Sequence, residues 1–129
     1  KGLIRRDGNA IAIFAFGSMV KAALEAAEKL GATLVDMRFV KPLDEELISE
    51  LAAKHQLVVT VEESAVMGGA GSAVNEFLTQ TSTPIQTLNL GLPDKFLEHG
   101  KPSDMLDEIN LNCEGIIQAI KNKQNECGL

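Results

Sequence analysis

Between Val61 and Val74 the chain reads VEESAVMGGAGSAV, which puts two carboxylates, Glu62 and Glu63, at the end of an apolar strand and three glycines, Gly68, Gly69 and Gly71, at the start of a helix. Paired carboxylates can share general acid and base work when both face one reacting atom. Neighbouring residues on a strand point to opposite faces, so these two do not converge and are read as solvated or interface carboxylates. Gly69-Ala70-Gly71-Ser72-Ala73-Val74 matches the first two glycines of a dinucleotide fingerprint, and Asp94 lies downstream where a ribose-binding acid belongs. Val74 occupies the third position, where close helix packing needs a small residue, and the strand ends too early for a tight phosphate turn. The loop is better suited to close backbone packing against a surface that this chain does not contain.

A second constellation, Asp36, Arg38, Lys41 and Asp44 in VDMRFVKPLD, follows a strand at its carboxyl end, where open α/β sheets place ligands. Two cations among two carboxylates can grip a phosphorylated substrate, or can form an ion-pair network that fixes the loop, and the second use is the commoner one. Gly17-Ser18 at a helix start could take an anion on free backbone amides. It lacks the lysine of a phosphate loop, and Ser18 reads first as an ordinary N-cap. Gly17, Ser18, Arg38 and Lys41 together make the candidate anion site, which corresponds to a regulatory module. His55, after a helix, and His99, before Gly100, sit where a cation favours the negative end of a helix. Neither has the neighbours of a triad or a metal site, and Ser64 lacks the glycines of a nucleophile elbow. No catalytic residue and no metal ligand is assigned.

The elements that position these groups alternate in hydrophobic period. Ile11 to Phe16, Thr33 to Met37 and Leu57 to Val61 read as buried strands, and Ile85 to Leu90 as a more polar strand nearer an edge. Leu3 to Arg6 adds a short edge strand. Helices follow: one from Ser18 with Val20, Ala23, Leu24, Ala27 and Leu30 inward, ended by Gly31 in a left-handed conformation, and one capped by Asp44 and running to about Lys54. A third, after the glycines, turns Ala73, Val74, Phe77 and Leu78 inward; GLPDKFLEHGKP is a loop with a short helical turn, and Asn112 to Asn122 is the last helix. Such alternation predicts a three-layer α/β/α sandwich on a mostly parallel open sheet of about five strands, with a possible antiparallel edge strand. One domain spans residues 1–120, and residues 121–129 form a polar tail expected to order poorly.

Composition narrows the function classes. A net charge of −6, a pI near 4.9 and the absence of Trp and Tyr argue against nucleic acid, which needs cationic stripes and stacking aromatics. No apolar run approaches a membrane span, and KGLIRRDGN lacks the apolar core of a signal peptide. Cys113 and Cys127 fit no disulfide framework and are expected as free thiols. A chain that starts at Lys1 reads as a piece of something longer.

VDMRFVKPLD, TVEESAVMGGAGSAVNE and LNLGLPDKFLEHG resemble successive segments of the carboxyl-terminal domain of the 1-deoxy-D-xylulose 5-phosphate synthases, thiamine-diphosphate enzymes of the transketolase superfamily. The similarity runs from about Ile11 to Ile120. Transketolases and 2-oxo-acid dehydrogenase β subunits have related third domains, but the RFVKPLD and GLPD phrases favour the synthases. The resemblance implies a parent enzyme that joins pyruvate to glyceraldehyde 3-phosphate with loss of carbon dioxide, using thiamine diphosphate as electron sink and Mg2+ to hold it. It implies a homodimer in the bacterial cytoplasm or the plastid stroma. The family's cofactor signature, Gly-Asp-Gly with a distant Asn, belongs to the first domain, and Asp7-Gly8-Asn9 is read here as a turn. By this resemblance Glu62, Glu63, Gly68, Gly69 and Gly71 pack against the preceding domain or a second subunit, and this chain alone binds no cofactor.

Overall fold

The computed structural model describes residues 2–37, 43–63, 69–91 and 112–129. Five strands, β1 (Leu3–Arg6), β2 (Ile11–Ala15), β3 (Thr33–Asp36), β4 (Leu57–Val61) and β5 (Gln86–Leu90), form one sheet in the order β1-β3-β2-β4-β5. The inner pairs β3-β2-β4-β5 are all parallel, and β1 runs antiparallel to β3 at one edge. Every residue of β2 and β4 is buried, as central strands covered on both faces must be.

Among the described residues, four helices cover the faces: α1 (Val20–Leu30), α2 (Glu45–Lys54), α3 (Ala70–Gln80) and α4 (Cys113–Cys127). On one face α1 and α4 pack Ala23, Ala26, Ala27, Ile116 and Ile120 onto Ile11, Ile13, Ala15, Leu57, Val59 and Val61. On the other, α2 and α3 pack Ile48, Leu51, Val74 and Leu78 onto Ala12, Phe14, Phe16, Val35 and Val58. The expected three-layer architecture and the antiparallel edge strand are therefore both present. Each fully buried isoleucine or leucine contributes about 1.5–3 kcal/mol of transfer free energy.

Two helix boundaries differ from the sequence reading. Ser18 does not cap α1: Gly17–Met19 is a single 3-10 turn, the extended residue at its entrance is Phe16, and neither Phe16 nor Met19 has a side-chain cap bond. Gly17, at φ +65°, turns the chain there and leaves Ser18 exposed. At the other end α4 runs to Cys127 rather than Asn122, so residues 121–127, assigned to a polar tail, are its last turns. Once Ile116 and Ile120 anchor a helix, each further residue adds a hydrogen bond that roughly offsets its ordering cost, and no further apolar residue is needed. Gly128, left-handed at φ +71°, then closes it: its N–H donates to Asn125 O at 3.3 Å and the Leu129 N–H to Gln124 O at 2.9 Å, a Schellman pair.

Other boundaries follow the sequence. Gly31 ends α1 at φ +68°. Asp44 Oδ1 accepts the Leu47 N–H at 3.2 Å and caps α2. Asp7-Gly8-Asn9 lies between β1 and β2, where Gly8 sits so close on Gly31 that a Cβ would lie 2.4 Å from its carbonyl oxygen. The loop expected over GLPDKFLEHGKP falls, after Gly91, outside the described residues.

Candidate functional site

The sheet order places a topological switch between β2 and β4, since the chain leaves β2 toward β3 on one side and returns to β4 on the other. Ligands of open α/β sheets lie outside the carboxyl ends of the strands at such a point. At those ends the described backbone continues the sheet pairing by one residue. The Phe16 N–H donates to Val61 O at 2.9 Å, the Glu62 N–H donates to Leu90 O at 3.0 Å, and both side chains are buried.

Glu62 is the centre of the arrangement. Its side chain lies on the same face as Val58 and Thr60, two and four residues earlier, because strand side chains alternate. That face meets α3. Glu62 Oε1 accepts the Ala70 N–H at 3.0 Å and Oε2 accepts the Gly71 N–H at 2.5 Å, with the residue only 2% exposed. Gly69, at the N-cap position, has no side chain to cap α3, so a carboxylate eight residues upstream satisfies two of the amides that a helix start leaves open. The positive end of the helix dipole stabilises that charge. Glu62, expected as a solvated or interface carboxylate, is not solvated: it is a buried cap on α3.

Behind Glu62 runs a polar ladder. Asn89 Nδ2 donates to Thr60 Oγ1 at 2.7 Å, and Asn75 Nδ2 donates to Asn89 Oδ1 at 2.5 Å, which joins β4, β5 and α3. Gly71 lies against it so closely that a Cβ would meet Thr60 Oγ1 at 2.8 Å, Asn89 Nδ2 at 2.9 Å and Glu62 Oε2 at 3.1 Å. The second glycine of the apparent fingerprint therefore makes room for the domain's own polar groups. The position that a dinucleotide's phosphates would take at this helix start holds a carboxylate, which repels an anion.

Other candidate residues have separate duties. Glu63 and Gly69 are half-buried at the loop ends, while Ser64 and Gly68 lie outside the described residues. Gly17 and Ser18 are exposed, and Arg38 and Lys41 lie outside the described residues, so the anion site is represented by its backbone half. Asp36 lies 3.9 Å from the Arg5 guanidinium, and Asp44 Oδ2 accepts the Gly2 N–H at 2.9 Å, so both carboxylates hold β1 in place. His55 ends α2. Its Nδ1 faces the Leu51 carbonyl at 2.6 Å and must be the protonated nitrogen; Nε2, at 2.8 Å, accepts the Thr33 hydroxyl proton in the neutral ring, while Thr33 Oγ1 accepts the Gly8 N–H. His99 and Asp94 lie outside the described residues.

Cys113 and Cys127 are free thiols, both half-buried. Burial pushes the Cys113 thiol up from its ordinary value, against the pull of the neighbouring Lys29 ammonium. Lys29 in turn is raised, chiefly by its 3.3 Å bond to Glu114, with Cys113 and Glu25 adding to the effect. Among the described residues no group of three His, Cys, Asp or Glu side chains is placed to hold a metal ion, and no helix is long and apolar enough to cross a membrane.

The family model of the transketolase C-terminal domain matches residues 1–116. The chain belongs to this family. Among curated relatives, this transketolase C-terminal domain is 56% identical over 123 residues to the 1-deoxy-D-xylulose-5-phosphate synthase of Pseudomonas syringae pv. syringae, covering 95% of the chain and 20% of that protein. It is 58% identical over 121 residues to the synthase of Nitrosospira multiformis, again covering 20% of it. The chain thus spans about a fifth of the length of the relatives it matches. A solved split-gene transketolase, in the form of an inactive β4 tetramer, superposes with a TM-score of 0.86 at 36% identity, over 95% of this chain and 41% of that one.

The alternation of side chains along β4 could have revealed the buried cap. Val58, Thr60 and Glu62 share a parity, and no Ser, Thr, Asp or Asn precedes Ala70 to serve as its own cap.

Proposed function

We propose that this domain is the carboxyl-terminal assembly domain of a 1-deoxy-D-xylulose 5-phosphate synthase, which condenses pyruvate with glyceraldehyde 3-phosphate, with decarboxylation, for isoprenoid, thiamine and pyridoxal synthesis. The observation that carries this reading is the 56% identity along 95% of the chain to one fifth of a protein of that name. The match with synthases also favours this reading over a docking domain of a 2-oxo-acid dehydrogenase. Thiamine diphosphate and Mg2+ belong to the chemistry of the parent enzyme, where they supply the electron sink and its anchor. The described residues do not fit them: no metal-holding cluster is present among these residues, and Glu62 fills the glycine-flanked helix start. No step is assigned to them here.

In this reading the domain's contribution is mechanical. The preceding domains of the same polypeptide, and a second subunit of a homodimer, meet the carboxyl edge of the sheet at Glu63 and Gly69, the described ends of the connection whose sequence includes Gly68. Glu62 and Gly71 support that edge from inside. The location of β1 supports this: Gly2, pinned by Asp44, enters next to the carboxyl end of β3, so the incoming chain arrives at the same edge. The enzyme works in the bacterial cytoplasm, or in the plastid stroma for a plant or algal source.

A chimera tests the assignment. The matching fifth of the Pseudomonas syringae synthase is replaced by this chain, and product formation from pyruvate and glyceraldehyde 3-phosphate is followed. Activity comparable with the unmodified enzyme is expected. A folded, cofactor-loaded chimera without activity would refute it. The 129-residue chain alone is expected to show no turnover and, by calorimetry, no binding of thiamine diphosphate with magnesium.

A further inference from the structure

We infer that Glu62 is a positioning residue for domain docking: by bonding the end of β4 to the first turn of α3, with Asn89 and Asn75 bracing it, it preforms the edge that the neighbouring domain meets. The inference rests on the proposed assembly function and names the device behind it. Three observations support it.

Glu62 joins residues that the chain separates by eight positions, through both carboxylate oxygens, so the ends of the glycine-rich connection are fixed relative to each other. A buried carboxylate is costly unless fully hydrogen-bonded, and an asparagine or threonine at a local N-cap would satisfy one open amide of the first turn more cheaply. A local cap, however, fixes only the helix; a carboxylate at the carboxyl end of β4 fixes the helix to the sheet. The polar ladder adds a second tie between the same elements, from Thr60 through Asn89 to Asn75, at a sheet face that is otherwise apolar from Ala12 to Val58. Gly71 completes it, because only the absence of a Cβ lets α3 approach this ladder without displacing it.

A preformed edge lowers the ordering cost of docking, and docking then stabilises the domain by linkage. The measurement is therefore a difference. Thermal unfolding midpoints of this domain are recorded for the 129-residue chain and for the same domain inside the Pseudomonas syringae chimera, and the gap between them reports docking. In Glu62→Gln the amide nitrogen faces a backbone N–H, and one charge-assisted bond is lost. The expected result is a gap reduced by about half or more, beyond any fall in the midpoint of the free chain. Equal falls in both midpoints, with the gap preserved, would show that Glu62 serves only the domain's own stability and would overturn the inference. An unchanged pair of midpoints would do the same. Should Glu62→Gln fail to fold, Asn89→Ala, which keeps the carboxylate and removes the brace, is read in the same way. A wild-type chimera with no gap at all would instead remove the assembly function beneath the inference.

Discussion

The two faces of the β-sheet are built on different principles. Under α1 and α4 the residues of β4 are Leu57, Val59 and Val61, and the helices answer with alanines and isoleucines, so the layer is apolar from end to end. Under α2 and α3 the same strand presents Val58, then Thr60, then Glu62, an apolar start that turns polar toward the carboxyl end. Non-directional burial holds the first face, and any well-filled arrangement of similar volume would serve. The second face needs donors and acceptors at fixed places. The contrast shows that directional bonds are concentrated where β4 ends and α3 begins.

Several substitutions would break or sharpen the contrast. Ile116→Ala, on the apolar face, leaves a cavity and is expected to lower stability in urea unfolding by about 2–5 kcal/mol, the largest single effect. A loss well below this range would mean that the face can collapse around the gap. Gly71→Ala, on the polar face, sets two terms against each other. Alanine favours the helix by about 1 kcal/mol, while overpacking against Thr60, Asn89 and Glu62 costs about 1–3 kcal/mol. Overpacking should win, with a net loss of about 1–2 kcal/mol, and a stabilised variant would show that the ladder yields easily.

Asp44→Ala removes both the α2 cap and the Gly2 anchor, for an expected loss of about 0.5–2 kcal/mol together with faster amide exchange at Gly2. Asp44→Ser keeps a capping oxygen but is too short to serve both groups, so it should restore most stability while Gly2 remains unprotected. The smallest effect concerns reactivity at the margin of the apolar face. Burial raises the Cys113 thiol, so the thiolate is scarcer at pH 8 than in a free cysteine peptide and alkylation should be slower. Lys29→Met removes a charge that lowers this thiol and should slow the reaction further; mass spectrometry of the modified peptide reads both rates. The exposed Lys29 bridge itself should be immaterial to stability.

Much of this was legible in the residues. Continuous apolar runs marked β2 and β4, Gly31 and Asp44 marked a helix end and a helix start, and the quoted phrases pointed to the family. The Ser18 cap was misread because the positive φ of Gly17 moves the extended residue back to Phe16. The polarity of residues 121–127 points away from a helix, yet α4 runs through them to Gly128, whose left-handed conformation is the stronger stop signal. Glu62 differs most from its sequence expectation, since it is buried and bonded to α3. Its alternation with Glu63 was recognised, but the face it joined could be named only by counting back through Thr60 to Val58.

The sequence by itself determined the alternation of strands and helices, the parity of each strand and the family, because these are recorded in residues a few positions apart. Only the tertiary structure decided that the glutamate just after β4 would cap α3, that Asn89 and Asn75 would brace it, and that Gly71 would leave them space. Those contacts depend on β5 lying beside β4 and α3 lying across both, and strand order and helix placement are fixed by packing among distant segments rather than by any local pattern.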